Sequence, residues 1–332
     1  TLRLAELPRA KVLGVVNFPT FYQAMDAAQH IVKLGQGMPV GHLSAVELVD
    51  RTMIELSLQN PAFAPTIRTA LSPHINGGMP EAVLLVEFSG PSKADIAHKI
   101  KELVELMGDL GLPGSVVEML DDAPQKNLWE VRKAGLNIMM SLRGDGKPVS
   151  FIEDCAVPLV HLAEYTDALT EVFHKHGSRG TWYAHASVGT LHVRPILDMR
   201  TDGAAKMRAI AEEACALVRE YKGAFSGEHG DGLVRSEWIE PFTKLAAQAP
   251  LRTSASLMYE DMKGYDPYRK LGIGPKATLF ADTLFSLYGV KLIGDGSNQT
   301  KTGAQTVAYL GGSAKGQPNF DAKAVKKMVA DV

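Results

Sequence analysis

The chain has 332 residues, 45% of them hydrophobic and 22% charged, with a formal net charge of −2, the proportions of a globular protein with room for two domains or one large α/β body. No block of Lys and Arg stands out, which argues against nucleic acid or an anionic membrane surface as the main partner. Cys155 and Cys215 are the only cysteines, too few for a disulfide framework or a four-cysteine metal site, and no apolar run reaches the roughly 20 residues of a membrane span.

That cysteine usage leads us to expect a reducing compartment; separately, a cytoplasmic location, or one peripheral to the inner membrane, is expected. The opening TLRLAELPRAKV has neither a signal-peptide core nor an initiator Met, so a processed, trimmed or partial chain is expected. KVLGVVNF (11–18) reads as a strand, and 20–35 as a helix with Thr20 as N-cap and Gly35 past its end. EAVLLVEFSG (81–90) is the next apolar strand. Helix 92–108 follows, with Ile96, Ile100, Leu103, Val104 and Met107 on one face. SVVEML is a strand, and 123–142 reads as one long helix ending before a Gly-Asp-Gly-Lys-Pro turn.

VSFIEDCAVP (149–158) reads as a strand leading to helix 160–176, where Leu162, Tyr165, Leu169, Val172 and Phe173 share a stripe. Two strands around a turn follow at WYAHASVGTLHVRP (182–195), then helix 204–221 with Met207, Ile210, Ala214, Leu217, Val218 and Tyr221 at helical spacing. These elements predict an α+β fold, an antiparallel sheet with helices packed on one face. Composition shifts after about residue 240, with turn-rich and glycine-rich stretches, so we expect a boundary near 245: a domain over 1–245 and an unassigned tail or small extra domain over 246–332.

The chemistry concentrates in two stretches. His185 and His192 flank a small turn that can bring both imidazoles to the mouth of a sheet, although each could equally cap a turn or bond a carbonyl. In SGEHGDG, Glu228 and His229 are adjacent, and neighbours in an extended segment point to opposite faces. The glycines at 227, 230 and 232 permit a sharp bend, so that both side chains could serve one pocket. His185, His192 and Glu228 would then supply two nitrogens and one oxygen to a metal with an open position, and His229 a base. The plain alternative is a glycine-rich turn with a surface Glu-His pair. Arg132, on the helix three residues after Trp129, could clamp a carboxylate in a bidentate fork, and Arg194 and Arg235 are weaker candidates for that task. Lys147 sits on a glycine loop, and Asp154 could cap or orient. No G-x-G-x-x-G after a strand, phosphate-binding P-loop or G-x-S-x-G elbow is found.

IEDCAVP, YAHASVGTLHVRP and SGEHGDGLVRSEW, in this order, resemble the C-terminal half of FAD-linked oxidases of the glycolate oxidase, D-lactate dehydrogenase and D-2-hydroxyglutarate dehydrogenase group. The resemblance runs from about residue 10 to 240 and takes in SAVELVDRTMIEL (44–56). It implies a ferredoxin-like plan and the FAD-dependent oxidation of a D-2-hydroxy acid to a 2-oxo acid, with hydride passing to the flavin. It also implies zinc or a similar divalent ion on His185, His192 and Glu228, His229 as the base, Arg132 on the substrate carboxylate, and Gly230, Asp231 and Gly232 near the cofactor. The flavin-binding domain is not found before residue 10, so most of the FAD site is expected on another segment or chain, and an iron–sulfur electron acceptor is expected likewise. Residues 245–332 do not match the family's usual ending. Two other readings stay open: a stand-alone zinc hydrolase, and a non-catalytic binding module.

Overall fold

Alternation of side chains along three long apolar strands organises the first part of the chain. The computed structural model describes residues 8–35 and 41–230, and beyond them Trp238, the strands 253–258 and 285–291, and residues 321, 323, 324 and 326. In chain order the elements are β1 (Ala10–Phe18), α1 (Phe21–Ile31), β2 (His42–Asp50), α2 (Arg51–Gln59), α3 (Ala64–Ala70), β3 (Ala82–Gly90), α4 (Lys93–Asp109) and β4 (Val116–Met119). They continue with α5 (Asp122–Lys133), α6 (Gly135–Met140), β5 (Lys147–Pro148), β6 (Cys155–Ala156), α7 (Leu162–Lys175), β7 (Gly180–His185), β8 (Thr190–Leu197) and α8 (Gly203–Glu220). The chain divides into two compact units, Thr1–Gly230 and Asp231–Val332.

The sheet of the first unit runs β4-β1-β3-β2-β7-β8-β5, with β6 also on β8, and all of its pairings are antiparallel. The order of β1 to β4 is that of a ferredoxin-like βαββαβ unit, and β7 and β8 extend it from the edge of β2. In the second unit, β9 (Thr253–Met258) and β10 (Phe285–Lys291) pair in parallel. The glycine-rich stretches at 294–299 and 310–316 lie outside the described residues.

The α+β class, the antiparallel sheet and the ferredoxin-like plan hold, but helices cover both faces of the sheet, not one. Leu13, Val15, Val83 and Leu85 point to one face, into a core shared with Met53 and Ile54 of α2, Ile67 of α3, Leu128 and Val131 of α5 and Ile138 of α6. The intervening positions face the other layer: a Cβ added at Gly14 would lie 2.5 Å from Leu103 of α4. On that layer Trp182 of β7 packs against Phe173 of α7 and Phe21 of α1, with ring centroids 5.8 and 5.2 Å apart. Every residue of β3 is therefore buried, whereas a strand with one open face would alternate.

Local signals explain most of the boundaries. Thr20 accepts the Gln23 N–H at the start of α1, and Ser92 that of Asp95 at the start of α4. Asp50 caps α2 through the Met53 N–H and also accepts the N–H of Trp182, tying α2 to β7; burial pushes its carboxyl up to about 6. Three expectations need correction. Val104 is exposed, outside the buried stripe of α4. The long helix is two, because Ala134 closes α5 before α6 begins. Of the strand over 149–158 only the short pairing of β6 is formed, directly after Asp154, whose φ of +79° turns the chain.

The turn between β7 and β8 has one strict requirement. Gly189 has φ +72°, and a Cβ there would lie 2.1 Å from the Val157 carbonyl oxygen, so an alanine meets both torsional strain and a backbone clash. Gly189→Ala should cost about 2–4 kcal/mol and lower the thermal unfolding midpoint by several degrees; an unchanged midpoint would contradict this placement of the turn.

Candidate functional site

Strand register brings the two histidines together. Glu47 pairs with His185 across β2 and β7, and Tyr183 with His192 across β7 and β8. Since side chains alternate, Glu47, Tyr183, His185, His192 and Arg194 share one face of the sheet, the face that α5 covers. His192 is buried, its ring stacked between those of Tyr183 (centroids 4.7 Å) and His229 (5.1 Å) and perpendicular to that of His185 (5.1 Å). Burial, helped by the neighbouring His185, pushes His192 down to about 4, which keeps it neutral and its lone pair available near neutral pH. The hydrogen bond that His185 donates to the Glu47 carboxylate moves it the other way, upward.

The loop 224–230 is held against these strands by Asp154. The left-handed backbone at Asp154 lets its N–H donate to Leu191 on β8 while its carbonyl accepts the Gly227 N–H. Its carboxylate accepts the Ser226 hydroxyl at 2.7 Å, the Glu228 N–H at 2.9 Å and the His229 N–H at 2.8 Å. Burial pushes this carboxyl up, but the Ser226 hydroxyl and the His229 and Glu228 N–H groups outweigh it and bring it below the ordinary value. A second strut is the paired backbone of Ala156 and Ala224.

The result is convergence. Glu228 Oε2 lies 3.6 Å from His185 Nε2, 3.5 Å from His192 Nε2 and 3.7 Å from His229 Nε2. His185, His192 and Glu228 each offer one ligand atom, and these atoms lie within 4.8 Å of one another. A divalent ion bonded at about 2.0–2.2 Å would hold such donors roughly 3.3–3.6 Å apart in a tetrahedral shell. The donor set, two imidazole nitrogens and a carboxylate oxygen, therefore suits zinc or a similar ion. Overlapping groups join His192 and His229 to Glu153, and Glu228 and His229 to Asp154, but the Asp154 carboxylate is already occupied by the loop.

Arg132 reaches the same place from α5. Its Nη2 donates to Glu47 at 2.6 Å, its guanidinium lies 4.7 Å over the Tyr183 ring, and its buried Nε finds no hydrogen-bond partner among the described residues. Arg194 lies farther along β8, paired through Nε and Nη2 with Glu153 at 2.7 and 2.5 Å. Glu153 Oε1 in turn faces His229 Nδ1 at 3.6 Å. Gly230 has φ +79° and donates its N–H to Ser226. Asp231, Gly232 and Arg235 lie outside the described residues. Lys147 bonds the Leu142 carbonyl at the start of β5, on a turn of its own. Glu47, Tyr183 and Glu153 were not singled out from the sequence. A glutamate amid the apolar strand AVELV, at inward parity, is the signal that would have found Glu47, since a buried charge needs partners.

Residues 7–252 match the family model described as FAD linked oxidases, C-terminal domain. Among curated relatives, D-2-hydroxyglutarate dehydrogenase of Pantoea ananatis is 29% identical over 84% of this chain and 26% of its own length, and that of Escherichia coli 27% over 82% and 26%. The mitochondrial cytochrome D-lactate dehydrogenase of Kluyveromyces lactis is 23% identical over 83% of this chain and 43% of its own. The chain thus spans about a quarter of the length of the D-2-hydroxyglutarate dehydrogenases it matches. A solved structure of p-cresol methylhydroxylase with substrate bound aligns at TM-score 0.50 and 14% identity, over 73% of this chain and 50% of that one, a likeness of fold. No helix among the described residues is long and apolar enough to cross a membrane.

The role of Asp154 is open to a direct check. Asp154→Ala leaves all three candidate ligands in place but removes the acceptor that seats Glu228. It should weaken zinc binding, read by calorimetry, about 10–100-fold. Affinity equal to the wild type would show that the loop seats Glu228 by other means.

Proposed function

Because the chain belongs to the family of FAD-linked oxidase C-terminal domains, we propose that it is the substrate and metal portion of an FAD-dependent enzyme that oxidises a D-2-hydroxy acid to a 2-oxo acid. One observation carries this reading: a single carboxylate oxygen within 3.5–3.7 Å of three imidazoles, beside an arginine on the same face of the sheet. The relatives' names, dehydrogenases of D-2-hydroxyglutarate and D-lactate, support oxidation over the hydrolytic alternative. We assign this portion to residues 1–245 and treat 246–332 as a separate tail or small domain.

The roles follow from the groups. His185, His192 and Glu228 would hold zinc or a similar divalent ion, whose Lewis acidity acidifies a hydroxyl. Arg132 pairs with the substrate carboxylate through guanidinium N–H groups that Glu47 does not occupy, which fixes the hydroxyl-bearing carbon near the histidines. His229, half-exposed and beside Glu228, takes the hydroxyl proton. FAD, when bound, supplies the acceptor for the α-hydrogen and its electron pair. Its binding falls mainly to a flavin domain on another segment or chain, with Gly230, Asp231 and Gly232 contributing from this one.

Each role predicts a different kinetic signature. In the assembly that carries the flavin, His229→Ala should cut turnover by about 10²–10⁴-fold while zinc binding, measured on the same variant, persists. Turnover at the wild-type rate would remove His229 from the role of base.

A further inference from the structure

We propose that Glu47 is a positioning residue that sets the tautomer of His185, so that the nitrogen facing Glu228 carries the lone pair rather than the proton. The inference rests on the metal reading above and deepens it. Glu47 sits directly opposite His185 in the β2–β7 register, and its side chain is only 12% exposed. Both carboxylate oxygens lie close to the same imidazole nitrogen, Oε1 at 2.8 Å and Oε2 at 3.0 Å from Nδ1. An ionised carboxylate only accepts hydrogen bonds, so Nδ1 must carry the proton. In the neutral ring the lone pair then belongs to Nε2, the nitrogen 3.6 Å from Glu228.

Arg132 makes this arrangement persist. Its Nη2, at 2.6 Å from Glu47 Oε2, supplies the counter-charge that a largely buried carboxylate requires. Glu47 bonds His185 at Nδ1, whereas Glu228 faces its Nε2. One carboxylate thereby ties the group proposed to clamp the substrate to a group proposed to hold the ion. His192 is held differently. Its Nδ1 is buried and finds no hydrogen-bond partner among the described residues, and stacking on Tyr183 and His229 sets its ring. Of the two candidate histidine ligands, only His185 has, among the described residues, a carboxylate bonded at Nδ1.

Without Glu47, neutral His185 should drift toward the form protonated on Nε2, which free histidine prefers and which cannot ligate through that atom. The test uses the full 332-residue chain, labelled with ¹⁵N at histidine, metal-free and at a pH where the imidazoles are neutral. Long-range ¹H–¹⁵N spectra should show His185 protonated on Nδ1 in the wild type and predominantly on Nε2 in Glu47→Leu. Calorimetry with Zn²⁺ alone should show about 10–100-fold weaker binding in Glu47→Leu. Glu47→Gln, whose amide oxygen still accepts from Nδ1, should keep the wild-type tautomer and lose less affinity; it also decides the matter should Glu47→Leu fail to fold. A wild-type His185 protonated on Nε2, or Glu47→Leu binding Zn²⁺ as tightly as the wild type, would overturn the proposal. A wild type that binds no Zn²⁺ would instead overturn the metal reading, and the tautomer spectra would still decide the part of Glu47.

Discussion

Asp154 is a fully buried carboxylate in a backbone conformation that residues with a side chain rarely adopt, and the site depends on what that carboxylate holds. A left-handed aspartate costs on the order of 1–2 kcal/mol. The hydrogen bonds that offset this cost come from Ser226, Glu228 and His229, each of the charge-assisted kind. They wrap a short glycine-bracketed loop against β8 and fix where Glu228 can reach. The sheet contributes the other half, since the β7–β8 register places the two histidines and Gly189 allows the turn between them.

Charge on this face of the sheet is arranged in pairs. Lys11 bonds Glu87, Arg132 bonds Glu47, and Arg194 bonds Glu153. Such partly buried pairs add little net stability, because desolvation consumes most of the attraction. Their value is positional: each carboxylate also contacts or faces a third group, Trp129 for Glu87, His185 for Glu47 and His229 for Glu153. The strongly apolar core formed by α2, α3, α5 and the strands carries the stability, which leaves these pairs to set geometry.

Much of this was legible in the sequence. The cap at Thr20, the apolar strands and the stripe of α7 all follow from periodicity and side-chain chemistry within a few residues, and the structure places them accordingly. The convergence of His185, His192 and Glu228 was legible as two glycine-bracketed motifs, because tight turns restrict where their side chains can point. What could not be read was non-local. Helices on the second face depend on where α2, α3 and α5 fold back, and nothing in their own periodicity says which face receives them. Glu47 lies 138 positions from His185, and only strand register reveals the pairing. Asp154 appeared in the sequence as a cap or an orienting residue, but its turn of the chain depends on a loop more than 70 residues away.

The central claim is that His185, His192 and Glu228 bind one divalent ion. Crystals of the chain soaked in Zn²⁺ and measured at the zinc absorption edge would test it most directly. The account predicts one anomalous peak within about 2.0–2.2 Å of the His185 Nε2, the His192 Nε2 and a Glu228 oxygen. An ordered loop at Glu228 with no peak there, or with zinc bound through His185 Nδ1, would contradict it.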